Sequence, residues 1–325
     1  MQIPPIFNIN TVKSFEELAL KTFNYQAINN KVYANFLKFL HVDPKSIHHI
    51  EQIPFLPIQF FKTHKIISSK EKIQQTFLSS GTTGMQQSKH HVTNLKIYEK
   101  SFTNGFNNFY GAIKNYTILA LLPSYLERTG SSLIYMANYF IKKSHSKDSG
   151  FYLHNLKELA QKLKELDADG KKVLLIGVSY ALLDLVELQQ FQLKNTIIME
   201  TGGMKGQRKE IIKEELHHIL CEGFGVKKIH SEYGMTELLS QAYSHGNGIF
   251  KTPPWMKVLT RDTEDALTLL PHHRTGGINV IDLANINSCA FIATQDLGKT
   301  LTNDSFEILG RFDNSDIRGC NLMVV

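Results

Sequence analysis

The segment from residue 79 to residue 89 constrains this chain more than any other stretch. It reads Ser-Ser-Gly-Thr-Thr-Gly-Met-Gln-Gln-Ser-Lys, and its small and hydroxyl-bearing residues neither fill a core nor favour a helix. Its two glycines let the main chain approach a ligand closely. Successive backbone N–H groups in such a turn surround an anion, and the hydroxyls add donors. The segment therefore predicts a polyphosphate-binding loop. The residues that would bind the phosphates are Ser79, Ser80, Gly81, Thr82, Thr83, Gly84 and Lys89.

The loop does not follow the Walker pattern. That motif places Lys directly after Gly, whereas four residues separate Gly84 from Lys89 here. Taken alone, a flexible polar loop between two elements is the alternative. The order Ser-Ser-Gly-Thr-Thr-Gly followed by Lys nevertheless resembles the phosphate-binding loop of adenylate-forming enzymes, which activate a carboxylate with ATP.

Charge and length favour a small anionic ligand over nucleic acid. A chain of 325 residues suggests about two domains. Lysine and arginine number 36 and aspartate and glutamate 30, for a formal net charge of +6, which suits a nucleotide. No basic stripe or basic segment interleaved with aromatic residues is present, so nucleic-acid binding is not expected.

Cysteine usage and hydropathy indicate the compartment. Cys221, Cys289 and Cys320 have no Cys-x-x-Cys spacing, which fits a reducing environment. The first residues lack the basic and apolar regions of a signal peptide, and the longest apolar runs are too short to span a bilayer. We therefore expect a cytoplasmic protein with no membrane span. The histidine pairs lack zinc-site spacing and predict solvated or capping roles, with His90 or His91 the residues to test.

Strand-like and helical segments alternate between residues 116 and 230, which predicts an α/β fold with a parallel sheet covered by helices. A helical N-terminal region is expected over residues 1–70, opened by a capping box that starts at Ser14. An α/β nucleotide-binding core should follow over residues 71–247, including a helix over 205–221. A smaller β-rich C-terminal subdomain, carrying the terminal motif, is expected over residues 248–325.

Unusual residues follow several predicted strands, where open α/β sheets place ligands. Gly202 and Gly203 could admit a flat base against the backbone, although paired glycines also simply mark turns. Tyr233-Gly234-Met235-Thr236-Glu237 offers a ring for stacking, a close backbone approach and a carboxylate for Mg²⁺. The alternative is a loop that enters a helix with Thr236 as its cap.

Two more candidates lie near the C-terminus. Asp296 follows a strand and could accept the two hydroxyls of a ribose, although an aspartate in a turn is the common alternative. Arg311, in Gly-Arg-Phe-Asp, is a candidate for a ribose or phosphate contact. The alternative is an arginine at the surface without a ligand.

Taken in order, these four motifs resemble the nucleotide-binding set of the adenylate-forming superfamily. Three further segments are similar to the LuxE-type acyl-protein synthetase family, and this resemblance covers essentially the whole chain. They are Phe-Leu-Pro-Ile-Gln-Phe-Phe-Lys at 55–62, Glu-Thr-Gly-Gly-Met-Lys-Gly at 200–206 and Ser-Asp-Ile-Arg-Gly-Cys at 315–320.

The resemblance implies the large-domain architecture of adenylate-forming enzymes, with ATP and Mg²⁺ as cofactors. It implies activation of a fatty or aryl carboxylic acid as acyl-AMP and transfer to the thiol of Cys320, with an acyl-accepting or reductase protein as a partner. Thr82, Thr83 and Lys89 would bind the phosphates, Gly203 and Tyr233 would frame adenine, Thr236 and Glu237 would lie at the α-phosphate and Mg²⁺, and Asp296 and Arg311 would lie at the ribose.

One departure from the superfamily concerns its C-terminal lid domain, which carries a lysine that assists adenylation. This chain ends at Val325, so Lys89 or a partner subunit is expected to substitute. Cys320 also fits on chemical grounds, because nearby arginines lower a thiol pKa and the thiolate is the nucleophile. Two alternatives remain open: a ligase resembling phenylacetate–CoA ligase, with coenzyme A as acceptor, and a nucleotide-binding subunit without turnover.

Overall fold

A computed structural model describes residues 5–80, 86–123, 130–202, 208 and 211–312. Within these ranges the α-helices are α1 (Val12–Asn29), α2 (Lys31–Phe39), α3 (Phe60–Thr63), α4 (Leu95–Tyr110), α5 (Ser132–Ser144), α6 (Leu156–Ala168), α7 (Ser179–Leu188) and α8 (Lys213–Phe224). The strands are β1 (Leu56–Pro57), β2 (Gln75–Leu78), β3 (Lys89–Val92), β4 (Thr117–Leu121), β5 (Gly150–Phe151), β6 (Val173–Val178), β7 (Thr196–Thr201), β8 (His230–Tyr233), β9 (Ala242–Ser244), β10 (Ile249–Lys251), β11 (Met256–Arg261), β12 (Leu269–Leu270), β13 (Gly276–Asp282), β14 (Phe291–Leu301) and β15 (Ser305–Arg311).

A parallel sheet forms the centre of the fold, as the alternation of segments predicts. Strands β5, β4, β6, β7 and β8 lie side by side in that order, and every pairing among them is parallel. Every residue of β4 and β6 is buried, because both faces of such a sheet are covered. Helices α5, α6 and α7 contact these strands. The predicted fold class is therefore confirmed.

The sheet continues into antiparallel strands in the C-terminal part of the chain. From β8 the order runs through β9, β10, β15, β14, β13 and β11 to β12. The N-terminal strand β1 joins this part by pairing in parallel with β14, where Leu56 lies opposite Ile292. Residues more than 200 positions apart in the chain are thus held in one sheet.

The predicted phosphate loop connects two strands of a small hairpin. Strands β2 and β3 pair antiparallel, with Leu78 opposite Lys89. The Ser79 N–H donates to the Ser88 carbonyl at 3.1 Å, and the Ser88 N–H donates to Ser79 Oγ at 2.9 Å. These bonds close the base of the loop, whose residues 81–85 lie outside the described ranges.

Two predicted helix starts are wrong. Helix α1 begins at Val12, because the Thr11 side chain caps it by accepting from the Ser14 N–H at 3.1 Å. Ser14 is thus the third helical residue and the reciprocal partner in the box. Helix α8 begins at Lys213, since Ile212 has an extended backbone with φ −67° and ψ 152°. The apolar spacing extends to residues before the helix, because Ile211, which precedes it, also packs on the core.

Candidate active site

Tyr233, Asp296 and Arg311 come from three strands and meet at one carboxylate. The Tyr233 hydroxyl donates to Asp296 Oδ2 at 2.7 Å, and Arg311 Nε donates to Asp296 Oδ1 at 2.9 Å. The register of β14 and β15 places Asp296 directly opposite Arg311. The Asp296 side chain is 7% exposed and that of Arg311 is 77% exposed. The structure therefore brings together three residues that were separate candidates in the sequence.

The Tyr233 ring is part of the core in this arrangement. It packs edge-on against Phe250 and Phe306, with ring centroids 5.9 and 5.6 Å away. Burial raises the tyrosine pKa far above its usual value, and the Asp296 charge raises it further. The hydroxyl therefore stays a hydrogen-bond donor to Asp296. A role for this ring beside adenine stays a prediction.

Arg261 is a buried cation next to this group that was not anticipated from the sequence. Its guanidinium donates to the carbonyls of Ile278 at 2.8 Å and Thr294 at 2.6 Å, and it lies 5.6 Å from the ring centroid of Phe312. Burial lowers the arginine pKa to about 10. Gly277 makes room for it, because a Cβ there would lie 2.6 Å from Arg261 Cζ. Arg261 thus fixes the backbone just before Asp296.

Glu237 is the other buried carboxylate of the predicted set. It is 5% exposed, and burial raises its pKa, while a hydrogen bond from Ser88 and the positive charges of Arg311 and Lys62 oppose that rise. The Asn285 amide donates to its backbone carbonyl at 2.7 Å. The Arg311 charge thus acts on both Glu237 and Asp296.

Asp282 holds the turn that carries Glu237. Its carboxylate accepts the N–H groups of Leu239 and Ser240 at 2.8 and 3.0 Å and the Ser240 hydroxyl at 2.5 Å. The residue is completely buried. The chain after Thr236 forms a turn and then strand β9, so the alternative of a helix capped by Thr236 is wrong.

The hairpin approaches Glu237 through one face of β3. Ser88, His90 and Val92 are buried, whereas Lys89 is exposed, as alternation along a strand requires. His90 Nδ1 donates to the Thr236 carbonyl at 2.7 Å. Lys89 projects from the other face, where its charge joins burial and the charge of a neighbouring lysine in lowering the His91 pKa. The structure therefore does not bring Lys89 to Glu237.

Two other acidic residues lie in the last residues of parallel strands, Glu200 in β7 and Glu232 in β8, and neither was a predicted site residue. Glu232 accepts a hydrogen bond from Thr201 at 2.5 Å, and a Cβ at Gly234 would lie 2.4 Å from Glu232 Oε1. Glu200 pairs with Lys213 at 3.0 Å. Burial opposes its charge, but neighbouring donors and cations lower its pKa to about 2. The sequence signals are position near a strand end and, for Glu200, its place in the family-like segment 200–206.

The structure describes only part of the predicted phosphate loop. Ser79 and Ser80 are described, and Ser80 is exposed. Six other predicted site residues lie outside the described residues: Gly81, Thr82, Thr83, Gly84, Gly203 and Cys320. In the described ranges, no group of three or more His, Cys, Asp or Glu side chains is arranged to hold a metal ion. A single carboxylate such as Glu237 still fits Mg²⁺, which binds through one or two carboxylates together with substrate phosphates.

His90 should make the protein sensitive to acid. Burial lowers its pKa from 6.5 to about 4, contrary to the expectation of a solvated histidine. The unfolded chain then binds a proton that the folded chain excludes, so stability falls as the pH drops from about 6.5 towards 4. We expect a loss of about 2 kcal/mol in unfolding free energy between about pH 7 and pH 5 from this residue. Urea unfolding at both pH values should show a smaller loss in His90→Gln; an equal loss in the variant would contradict the assignment.

Solved structures with this fold are adenylate-forming enzymes. An open conformation of 2-hydroxyisobutyryl-CoA ligase, with 2-HIB-AMP and CoA, superposes with a TM-score of 0.66 and 11% identity over 93% of this chain and 70% of that one. ATP-bound MatB from Rhodopseudomonas palustris gives a TM-score of 0.55 and 17% identity over 75% of this chain. The aligned region is 49% of MatB, so the match spans about half of that protein. The chain therefore has the fold of the adenylate-forming class.

The family within that class follows from the sequence comparison. Residues 8–325 match the family described as acyl-protein synthetase, LuxE, and the chain belongs to this family. It is 22% identical over 357 residues to the long-chain-fatty-acid–luciferin-component ligase of Vibrio harveyi, covering 99% of this chain and 90% of that protein. The protein is thus a ligase of the AMP-forming kind. None of its described helices is long and apolar enough to cross a membrane.

Proposed function

We propose that the protein activates a fatty acid as acyl-AMP and then transfers the acyl group to the thiol of Cys320. The observation that carries the first step is the convergence of Glu237 with the Asp296–Arg311 pair from distant parts of the chain. A carboxylate suits Mg²⁺, and the cations near it suit the phosphates of a nucleotide. The fatty acid is inferred from the substrate in the name of the Vibrio harveyi relative.

In the first step, a carboxylate oxygen of the acid attacks the α-phosphorus of ATP, and the bond to pyrophosphate breaks. Asp296 would orient the ribose: both of its oxygens already accept one hydrogen bond each, and an ionised carboxylate has lone pairs for more. Arg311, whose side chain is largely exposed beside it, would face the nucleotide. Glu237 would hold Mg²⁺, which neutralises charge on the phosphate oxygens.

In the second step, the Cys320 thiolate attacks the carbonyl carbon of acyl-AMP. A thioester bond forms, the bond from the carbonyl carbon to the phosphate oxygen breaks, and AMP leaves. The thiol proton passes to solvent, because the thiolate is the reacting species. The support for Cys320 is the Arg-Gly-Cys motif at residues 318–320 together with membership of the acyl-protein synthetase family.

Exchange of labelled pyrophosphate into ATP tests the first step directly. The wild-type protein with Mg²⁺ should catalyse exchange only when an acid is added. Saturated fatty acids of increasing length and a set of aryl acids would identify the preferred substrate. Absence of exchange with every acid, in a protein that binds ATP, would overturn the adenylation step and favour a nucleotide-binding subunit without turnover.

A further inference from the structure

The short helix α3 begins at the end of the sheet where Asp296 lies. It follows strand β1, which runs parallel to β14, and the Ile58 N–H extends that pairing by donating to the Ala293 carbonyl at 2.9 Å. The two strands therefore run in the same direction, and β14 reaches Asp296 three residues after Ala293. Lys62, in the first turns after β1, is carried to this edge.

Contacts with the hairpin and with the Glu237 turn hold α3 in place. The Phe61 ring packs edge-on against the His90 ring, with centroids 5.7 Å apart, and His90 is bonded to the Thr236 carbonyl. The Gln86 amide donates to the Lys62 carbonyl at 2.8 Å. The backbone of Lys62 is thus held beside the end of the phosphate loop, directly after Phe61, whose ring packs on His90.

The Lys62 ammonium is available for a ligand. Its side chain is half-buried, and it forms no ion pair with any Asp or Glu of the described ranges. Its charge nevertheless acts on Glu237, as does that of Arg311. Two cations, one from α3 and one from the end of β15, therefore act on one buried carboxylate. Lys89 is exposed on the opposite face of β3 and is not among the cations whose charge lowers the Glu237 pKa.

We propose that Lys62, and not Lys89, is the lysine that contacts the phosphates of ATP during adenylation. This inference rests on the proposed function and assigns to Lys62 the stabilisation of negative charge on the phosphates. The triphosphate is strongly anionic, and negative charge builds on the departing pyrophosphate as the bond to the α-phosphorus breaks. An ammonium group at this position stabilises that charge.

Three methionine variants of similar side-chain length test the proposal. Lys62→Met should lower kcat/KM for ATP in the exchange reaction by roughly tenfold or more and weaken ATP binding measured by calorimetry. Lys89→Met, at the competing candidate, should lose less than Lys62→Met, and Lys45→Met, at an exposed lysine outside the proposed site, should stay within about twofold of wild type. Lys62→Arg should recover part of the loss, because it restores the charge. Unfolding midpoints of all the variants should match wild type, which separates lost contact from lost fold.

The outcomes separate this inference from the proposed function. Equal kinetic and binding constants for Lys62→Met and Lys89→Met would overturn the role of Lys62. A larger loss in Lys89→Met would overturn it as well and return the role to Lys89. If wild type binds ATP without any exchange, the adenylation step fails, and the relative ATP affinity of the two variants still decides whether Lys62 contacts the phosphates.

Discussion

Replacement of Glu237 by glutamine is expected to lower ATP–pyrophosphate exchange by about 100-fold. The residue is 5% exposed and has two positive groups acting on it, Lys62 and Arg311. In the proposed function its carboxylate would also hold Mg²⁺ in the complex with ATP. Glutamine keeps the shape of the side chain and removes the charge. The bond from Asn285 reaches the backbone carbonyl and should survive. Initial exchange rates at saturating fatty acid, over a range of Mg²⁺ concentrations, measure the effect.

An acidic residue away from the site provides the control. Glu307 on β15 pairs with Lys299 at 3.0 Å and faces the partly exposed side of the strand, so Glu307→Gln should change the exchange rate by less than about twofold. A lost Mg²⁺ ligand should also raise the Mg²⁺ concentration that gives half-maximal rate. A Glu237→Gln rate equal to that of the control, with unchanged Mg²⁺ dependence, would remove Glu237 from the site.

The sequence pattern allows the central sheet and the ends of its strands to be predicted. Continuous apolar runs such as residues 173–178 identify buried parallel strands, and in a parallel sheet the residues that follow those strands lie along one edge. That rule places Tyr233 at this edge, but it does not reach Asp296, which lies within β14 in the antiparallel part of the sheet. The hydrogen bond between them at 2.7 Å is the detail that the structure adds.

The remaining features depend on contacts between distant segments. Arg261 and Asp282 are buried polar residues whose partners lie on other strands or turns, so no local spacing indicates them. The choice between Lys62 and Lys89 depends on which face of β3 meets the core. In a hairpin next to a loop of small residues, the sequence does not fix that face, because a shift of one residue reverses it.

Replacement of Cys320 by serine is expected to abolish thioester labelling of the protein and to leave adenylation intact. With ATP and a labelled fatty acid, wild type should carry label that hydroxylamine releases, since a thioester is readily cleaved by this nucleophile. Serine keeps the size of the side chain, but its hydroxyl is far less acidic than a thiol and supplies no comparable nucleophile. Labelling is measured after gel separation, and pyrophosphate exchange is measured on the same preparations.

The other two cysteines are matched controls because the structure makes them poor nucleophiles. Cys289 is completely buried, its thiol donates to the Phe291 carbonyl at 3.4 Å, and burial raises its pKa to about 12. Burial also raises the pKa of the half-buried Cys221. Cys221→Ser should therefore label like wild type. Full labelling of Cys320→Ser would contradict the assignment. Formation of free acyl-CoA by Cys320→Ser, when coenzyme A is added, would favour coenzyme A as the acceptor. Only a thiol that is accessible and ionised can capture the acyl group, and neither Cys221 nor Cys289 meets that requirement.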